Sequence, residues 1–332
     1  MKSPFTGGKV ILEKELRTHE FRGSNIEIMH HYYRCQDTGE FFSDTRLDEL
    51  NLNQLHNRYR EKESIPYKDE IIQYRSQYGI PATKMSFILG LGVNMYGKYE
   101  AGEIPNISNG RMIRSICSNP DIFRHFFLCN SSKFDEKEKT SILKRIDTAI
   151  EKKDSLKDEA YKEYAALGHV SRGEFTGYVK PDLNKARQMV LFFASQLEPF
   201  VTKMNKLLFY ADFFHYKNTG YAISGISYKA ITNGPVPQHY AGLIDNTSDI
   251  VDRKDEFYPN DITGERLIAR ADFDALFFTK DEINTLMTVA SRFKKTTTKE
   301  IVALSHEENA WIKNIENHNM ISYLDAFTLK AI

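Results

Sequence analysis

Asn233-Gly234-Pro235-Val236-Pro237 packs a glycine and two prolines into five residues, and no other stretch of the chain restricts the backbone so tightly. Each proline fixes φ near −65° and removes an amide donor, whereas glycine opens the positive-φ region. Such a stretch makes a rigid corner. Ahead of it, Met204, Leu207, Leu208, Ala211 and Phe214 recur at three- and four-residue spacing, which predicts a helix over 203–216 with an apolar stripe. Asn218-Thr219-Gly220 ends that helix, because glycine accepts the left-handed conformation of a helix C-terminus. Tyr221 to Ile231 holds β-branched and aromatic residues broken by Gly225, a strand-or-loop pattern. Pro237 suits the first position of a new helix running through Gln238, His239 and Tyr240.

With 332 residues, the chain has room for two or three domains. Lys plus Arg and Asp plus Glu each number 45, so global charge argues neither for nor against a nucleic-acid partner. Three widely spaced cysteines, Cys35, Cys117 and Cys129, give no disulfide framework and suit a reducing compartment. Cys117 and Cys129 stand among apolar residues and are expected to be core thiols. The opening residues lack a 7–15-residue apolar core, and no apolar run approaches the ~20 residues that span a bilayer. A cytoplasmic protein with no membrane partner is expected.

Residues 1–50 read as a small β unit. Lys9–His19 and Asn25–Cys35 are rich in strand formers around a turn at Arg22-Gly23-Ser24. The flanks Ser3-Pro4-Phe5-Thr6 and Cys35-Gln36-Asp37-Thr38 resemble the two knuckles of a zinc ribbon of the MqsA/YgiT antitoxin type. That ribbon places two cysteines in each knuckle; here Ser3, Thr6 and Thr38 fill three of the four positions. Hydroxyls are poor zinc ligands beside ionised thiolate or imidazole. The expectation is a ribbon without metal or other cofactor, held by side-chain hydrogen bonds and packing. The alternative is a site made by Cys35 with His19, His30 or His31. In the MqsA family the ribbon can grip the toxin, a role that the altered knuckles put in question.

Leu47 to Lys62 is polar and loosely amphipathic, a connecting helix. Residues 66–129 then read as an all-α domain: helices over Lys68–Tyr78, Pro81–Leu89 and Val93–Glu100, with a tight turn at Gly90-Leu91-Gly92. Met112 to Leu128 completes it. The line from Gly79 to Asn106 resembles the Xre/Cro repressor family, whose signature ends in an aromatic-Glu-x-Gly tail, here Tyr99-Glu100-Ala101-Gly102. The resemblance implies a helix-turn-helix whose second helix enters the major groove. It would turn Val93, Asn94, Gly97 and Lys98 toward operator DNA and Tyr96 toward the core, with Lys84 at a phosphate. Residues 66–129 carry seven Lys and Arg against five Asp and Glu. Phosphate neutralisation drives affinity, so a homodimer on a two-fold operator is expected. The same motif used only for protein contacts is the alternative.

Residues 132–178 are dense in charge with a thin apolar stripe (Ile142, Leu143, Ile146 and Ile150), read as exposed helices and a Gly-rich linker. The last domain, 180–332, opens with a helix over Leu183–Leu197. Short strands are expected at Arg253–Tyr258 and Leu267–Ala271. Thr279-Lys280-Asp281-Glu282 and Ser305-His306-Glu307-Glu308 both have the capping-box pattern, the second opening a helix that bears Trp311. His306 lacks the second histidine of a zincin motif, since Ala310 stands there.

KLLFYAD, GISYKA, NGPVP and SHEENAW, in that order within roughly 181–332, resemble the Panacea, or SocA-like antitoxin, domain. The resemblance implies direct binding and neutralisation of a toxin encoded alongside, or its delivery to a protease. The surface around Gly234, Pro235, Val236, Pro237, His239 and Tyr240 and the exposed side of the 203–216 helix would make the contact, with Tyr210, Phe213, Tyr228, His239 and Tyr240 as aromatic anchors. No phosphate loop, nucleophile elbow, metal cluster or paired-carboxylate pattern argues for an enzyme. The expected fold is mainly α and multi-domain: a β ribbon, an all-α helix-turn-helix domain, and a mostly helical α+β C-terminal domain. The expected function is that of a type II antitoxin with a cognate protein toxin, repressing its own operon. The alternatives are a regulator whose C-terminal domain binds a ligand or phage protein, and a proteolysis adaptor.

Overall fold

Strands β1 (Val10–Phe21) and β2 (Ser24–Cys35) form a long hairpin, and β3 (Phe41–Phe42) pairs with β2. Arg22 and Gly23 take φ of 51° and 77°, a two-residue turn whose twist matches the flanking strands. A computed structural model describes residues 1–155, 157–168, 171–258 and 262–332. It is 55% helix and 15% strand, a mainly α protein with small antiparallel sheets. Helix α1 (Thr45–Glu63) lies against β2 and uses its polar residues there. Asn51 pairs through its amide with the backbone N–H and C=O of His31, both at 2.9 Å. Gln54 does the same for Met29, at 3.1 and 2.9 Å. Two side-chain amides thus satisfy backbone groups that β2 would otherwise bury unpaired.

Contacts divide the chain into two units. The first comprises Met1–His19, Glu27–Leu55 and Tyr161–Ile332; the second comprises Glu20–Ile26 and His56–Ala160. Residues 1–50 therefore do not stand apart. Within the first unit the His31 ring packs on Phe327 at 4.7 Å, and Asn53 Nδ2 donates to the Thr219 carbonyl at 3.0 Å.

The second unit is built from α2 (Lys68–Ser76), α3 (Ala82–Ile88), α4 (Met95–Ala101), α5 (Ile107–Cys117), α6 (Pro120–Asn130) and α7 (Glu136–Ser155). Its core stacks Tyr78 on Phe123 at 4.2 Å among Ile71, Met85, Ile88 and Phe127. The buried hydroxyls find partners: Tyr78 donates to the Cys117 carbonyl at 2.9 Å and Tyr96 to that of Ile71 at 2.8 Å. Ile142 and Ile146 of α7 belong to this core. The expected exposed strut is therefore a packed element, because its thin stripe is covered by α6. Cys117 is buried as expected, but Cys129 is exposed, since it lies on α6 away from the face bearing Phe123 and Phe127.

Helix α8 (Lys157–Leu167) leads to a segment expected as linker, in which Thr176 and Tyr178 are buried. Helices α9 (Leu183–Leu197) and α10 (Val201–Thr219) pack together, and β4 (Tyr228–Ile231) and β5 (Gly234–Pro237) form a hairpin against α10. Pro237 thus ends a strand rather than beginning a helix. β5 is an edge strand, where a missing amide donor is tolerated, and α11 starts only at Tyr240 (Tyr240–Asp245). Strands β6 (Val251–Tyr258) and β7 (Ile262–Ala269) pair antiparallel near the expected positions. Helix α12 (Lys280–Phe293) has the Thr279–Glu282 capping box. Ser305 and His306 instead end α13 (Thr298–His306), whose own box is Thr297–Glu300, and α14 (Asn309–Ile312) follows. The expected box at Ser305 fails because its hydroxyl donates back to the Val302 carbonyl at 2.8 Å. Strand β8 (Met320–Ile321) pairs with β4.

Candidate functional site

α10 carries charged groups into the middle of the first unit. Asp212 is fully buried and accepts four hydrogen bonds: from the amides of Ile223 and Ser224 at 2.8 Å each, from Ser224 Oγ at 2.6 Å, and from the Tyr228 hydroxyl at 2.7 Å. Burial pushes its carboxyl up while these donors pull it back. The carboxylate therefore pins the loop after α10 to the first residue of β4. One turn and a half earlier, Lys206 is buried and donates to the Pro235 carbonyl at 2.9 Å, and burial pushes its amine down to about 7. Gly234, at φ +94°, leaves room for it: a Cβ there would fall 2.8 Å from Lys206 Cε and 2.4 Å from Ser305 Oγ. Glu308 is buried as well, accepting from the amides of Lys330 at 2.9 Å and Ala331 at 3.0 Å. These three charges tie chain segments together around the corner.

The corner is thus an interior feature. Tyr210, Phe213, Tyr228, Gly234, Pro235, Val236 and Pro237 are all buried. Tyr210 stacks on Phe293 at 4.7 Å, Phe213 on Tyr323 at 4.4 Å, and Tyr228 is spent on Asp212. The expectation that these residues form a contact surface is corrected: the stripe on α10 is buried nearly all round, so the aromatics are core. Only His239 and Tyr240 remain half-exposed. His306 lies flat on Trp311, ring centroids 4.1 Å apart, and Trp311 Nε1 donates to the Ile231 carbonyl at 2.8 Å. A cleft of about 560 Å³ with mixed polar and apolar lining opens between α1, α10 and α12, with Arg46, His215, Asn218 and Asn284 among its residues.

In the second unit Val93 is 88% exposed, and Asn94 and Lys98 are exposed. Gly97 faces inward, where a Cβ would lie 3.8 Å from that of Ala82. Asn94 precedes α4 instead of lying within it, at φ 58°, a left-handed conformation that asparagine tolerates. Lys84 is held by Glu138 of α7 at 2.7 Å, so its charge is shared and not free at the surface.

At the start of the chain Ser3, Thr6 and Thr38 converge on the buried Cys35. Thr6 Oγ1 lies 3.6 Å from its sulfur, and hydrogen bonding by Ser3, then Thr38, pulls the thiol down to about 6. Thr6 also donates to Asp37 at 2.6 Å. Among the described residues no group of three or more His, Cys, Asp or Glu is placed to hold a metal ion. His19 and His30 lie near one another, ring centroids 5.2 Å apart, while His31 packs on Phe327. Also among the described residues, no helix is long and apolar enough to cross a membrane.

Part of the first unit is similar to a domain of antitoxin type. Residues 204–312, from α10 to α14, match the family model described as Antitoxin SocA-like, Panacea domain. No curated protein matches the chain, and no solved structure matches it. Sequence reasoning overlooked Asp212, Lys206 and Glu308. For Asp212 the signal was a charge set among apolar neighbours, Phe209-Tyr210-Ala211-Asp212-Phe213-Phe214, which marks a buried and therefore partnered group; Glu308, between Glu307 and Asn309, carried no such signal.

Proposed function

We propose that the chain is the antitoxin of a type II toxin-antitoxin system, neutralising a cognate toxin by direct binding through its C-terminal part and repressing its own operon. The match of residues 204–312 to the SocA-like antitoxin family carries this reading. On it the protein is a cytoplasmic binding protein, not an enzyme. His239 and Tyr240 are the half-exposed members of the proposed toxin-facing set. The buried members act by holding the corner in shape.

Repression is assigned to a helix-turn-helix made by α3 and α4, acting as a homodimer on operator DNA. The exposure of Val93, Asn94 and Lys98 supports it. Asn94 would pair with an adenine edge, and Lys98 would reach a guanine or a phosphate.

Toxin binding is tested by co-expressing the full chain with the product of the adjacent reading frame. Growth arrest by that product should be relieved, and persistence of arrest removes the antitoxin reading. Operator binding is tested by footprinting the upstream region with Asn94→Gly/Lys98→Ala. Glycine keeps the left-handed backbone, so the footprint should vanish with an unchanged melting temperature; a retained footprint takes those residues out of the interface.

A further inference from the structure

An apolar face of the first unit is uncovered. Between α9 and α12 runs a mainly apolar cleft of about 450 Å³, walled by Phe192 and Leu197 on one side and by Ile283 and Met287 on the other. Phe273 lines it and packs against Phe192, ring centroids 5.1 Å apart. Met287 is 57% exposed, and Leu276, three residues after the cleft-lining Phe273, is 93% exposed. Large aliphatic side chains left in water beside an apolar cleft mark an interaction site. From Ile283 to Lys294 the α12 wall runs about 16 Å at 1.5 Å per residue, or roughly three helical turns.

The chemistry is asymmetric along its length. Lys294 lines the cleft where α12 ends, and Lys295 follows it. Both are exposed, and among the described residues neither has a carboxylate within salt-bridge distance. On the α12 wall Ile283 and Met287 stand four residues apart, about one helical turn, the spacing that accepts side chains at i, i+3/i+4 and i+7 of a third helix. Unpaired cations at one end select for carboxylates there.

We infer that this cleft receives an amphipathic helix of the toxin, with the acidic end of that helix beside Lys294 and Lys295. The inference rests on the antitoxin reading and names the face through which it works. His239 and Tyr240 would then lie outside the energetic centre of the contact.

The test uses the full chain co-expressed with the product of the adjacent reading frame, reading both rescue of growth and co-purification. Met287→Glu and, separately, Leu276→Glu replace exposed side chains, so the melting temperature should hold while rescue and co-purification are lost. Tyr161→Glu, at an exposed position away from the cleft, should change neither. Lys294→Glu/Lys295→Glu should weaken binding by about tenfold and flatten its salt dependence. A photo-crosslinking residue at position 287 should capture an amphipathic, acid-flanked helix of the co-expressed protein. Full rescue by both glutamate variants overturns the cleft and leaves the antitoxin reading intact. A crosslink to a second copy of the chain overturns the toxin as occupant. Failure of the unmodified chain to rescue defeats the antitoxin reading and this inference together.

Discussion

Gly234 joins three constraints at one atom: a left-handed φ of +94°, the Ser305 hydroxyl and the Lys206 stem. Gly234→Ala would strain the backbone and press on groups that have no free space. A loss of about 2–4 kcal/mol is expected in urea unfolding, from the left-handed penalty plus overpacking; a loss under about 1 kcal/mol would mean that the corner yields. The Asp212 cluster permits a graded comparison. Tyr228→Phe deletes one of four donors and should cost about 1.5–3 kcal/mol, as for a hydrogen bond to a charged group. Asp212→Ala strands two amides and opens a cavity, and should cost more. Asp212→Asn should fall between them, because the two hydroxyls can turn to accept from an amide. If Asp212→Asn proved as damaging as Asp212→Ala, ionisation rather than hydrogen bonding would be the main contribution.

Helices were legible where their ends carry punctuation. Thr279 and Glu282 form the reciprocal cap expected of them, with Glu282 Oε2 2.8 Å from the Thr279 amide, and Thr279→Ala should lower stability by about 1 kcal/mol. An unchanged urea midpoint would show that the rest of α12 holds that end alone. The same pattern misled at Ser305–Glu308, where burial of Ser305 and Glu308 decided the geometry. The β4–β5 hairpin was obscured because two prolines read as breakers, yet they stand on an edge strand that needs no donor from them. Helix α1 looked polar because its contacts are polar: Asn51, Gln54 and Asn57 are buried residues that apolar periodicity cannot register. The surface set failed for the opposite reason. Tyr210 and Phe213 are good anchor types, but α10 is enclosed on nearly every side, and aromatic identity alone does not tell core from interface.

At the level of the whole molecule, acid should weaken the first unit before its carboxylates are protonated. Burial pushes His31 and His215 down to about 4 each, against roughly 6.5 in an unfolded chain. Between those values the unfolded state holds more protons than the folded one, so stability is full above about pH 6.5 and declines as pH falls toward 4. Each histidine adds about 1.4 kcal/mol per pH unit at its steepest. Urea midpoints from pH 7 to 5 should show this slope, and His215→Gln should reduce it; equal slopes would remove His215 from the account. Sequence could not supply this effect, since a histidine's burial depends on what the fold lays over it. The division of the chain bears on its synthesis. Met1–His19 and Glu27–Leu55 build the same unit as Tyr161–Ile332, while His56–Ala160, with the short segment Glu20–Ile26, build the other. A ribosome therefore releases the opening hairpin long before α10 and α12 exist, and the middle of the chain can finish folding while both ends wait. Half-made or prematurely stopped copies carry raw apolar surface, which makes them the natural prey of quality-control proteases.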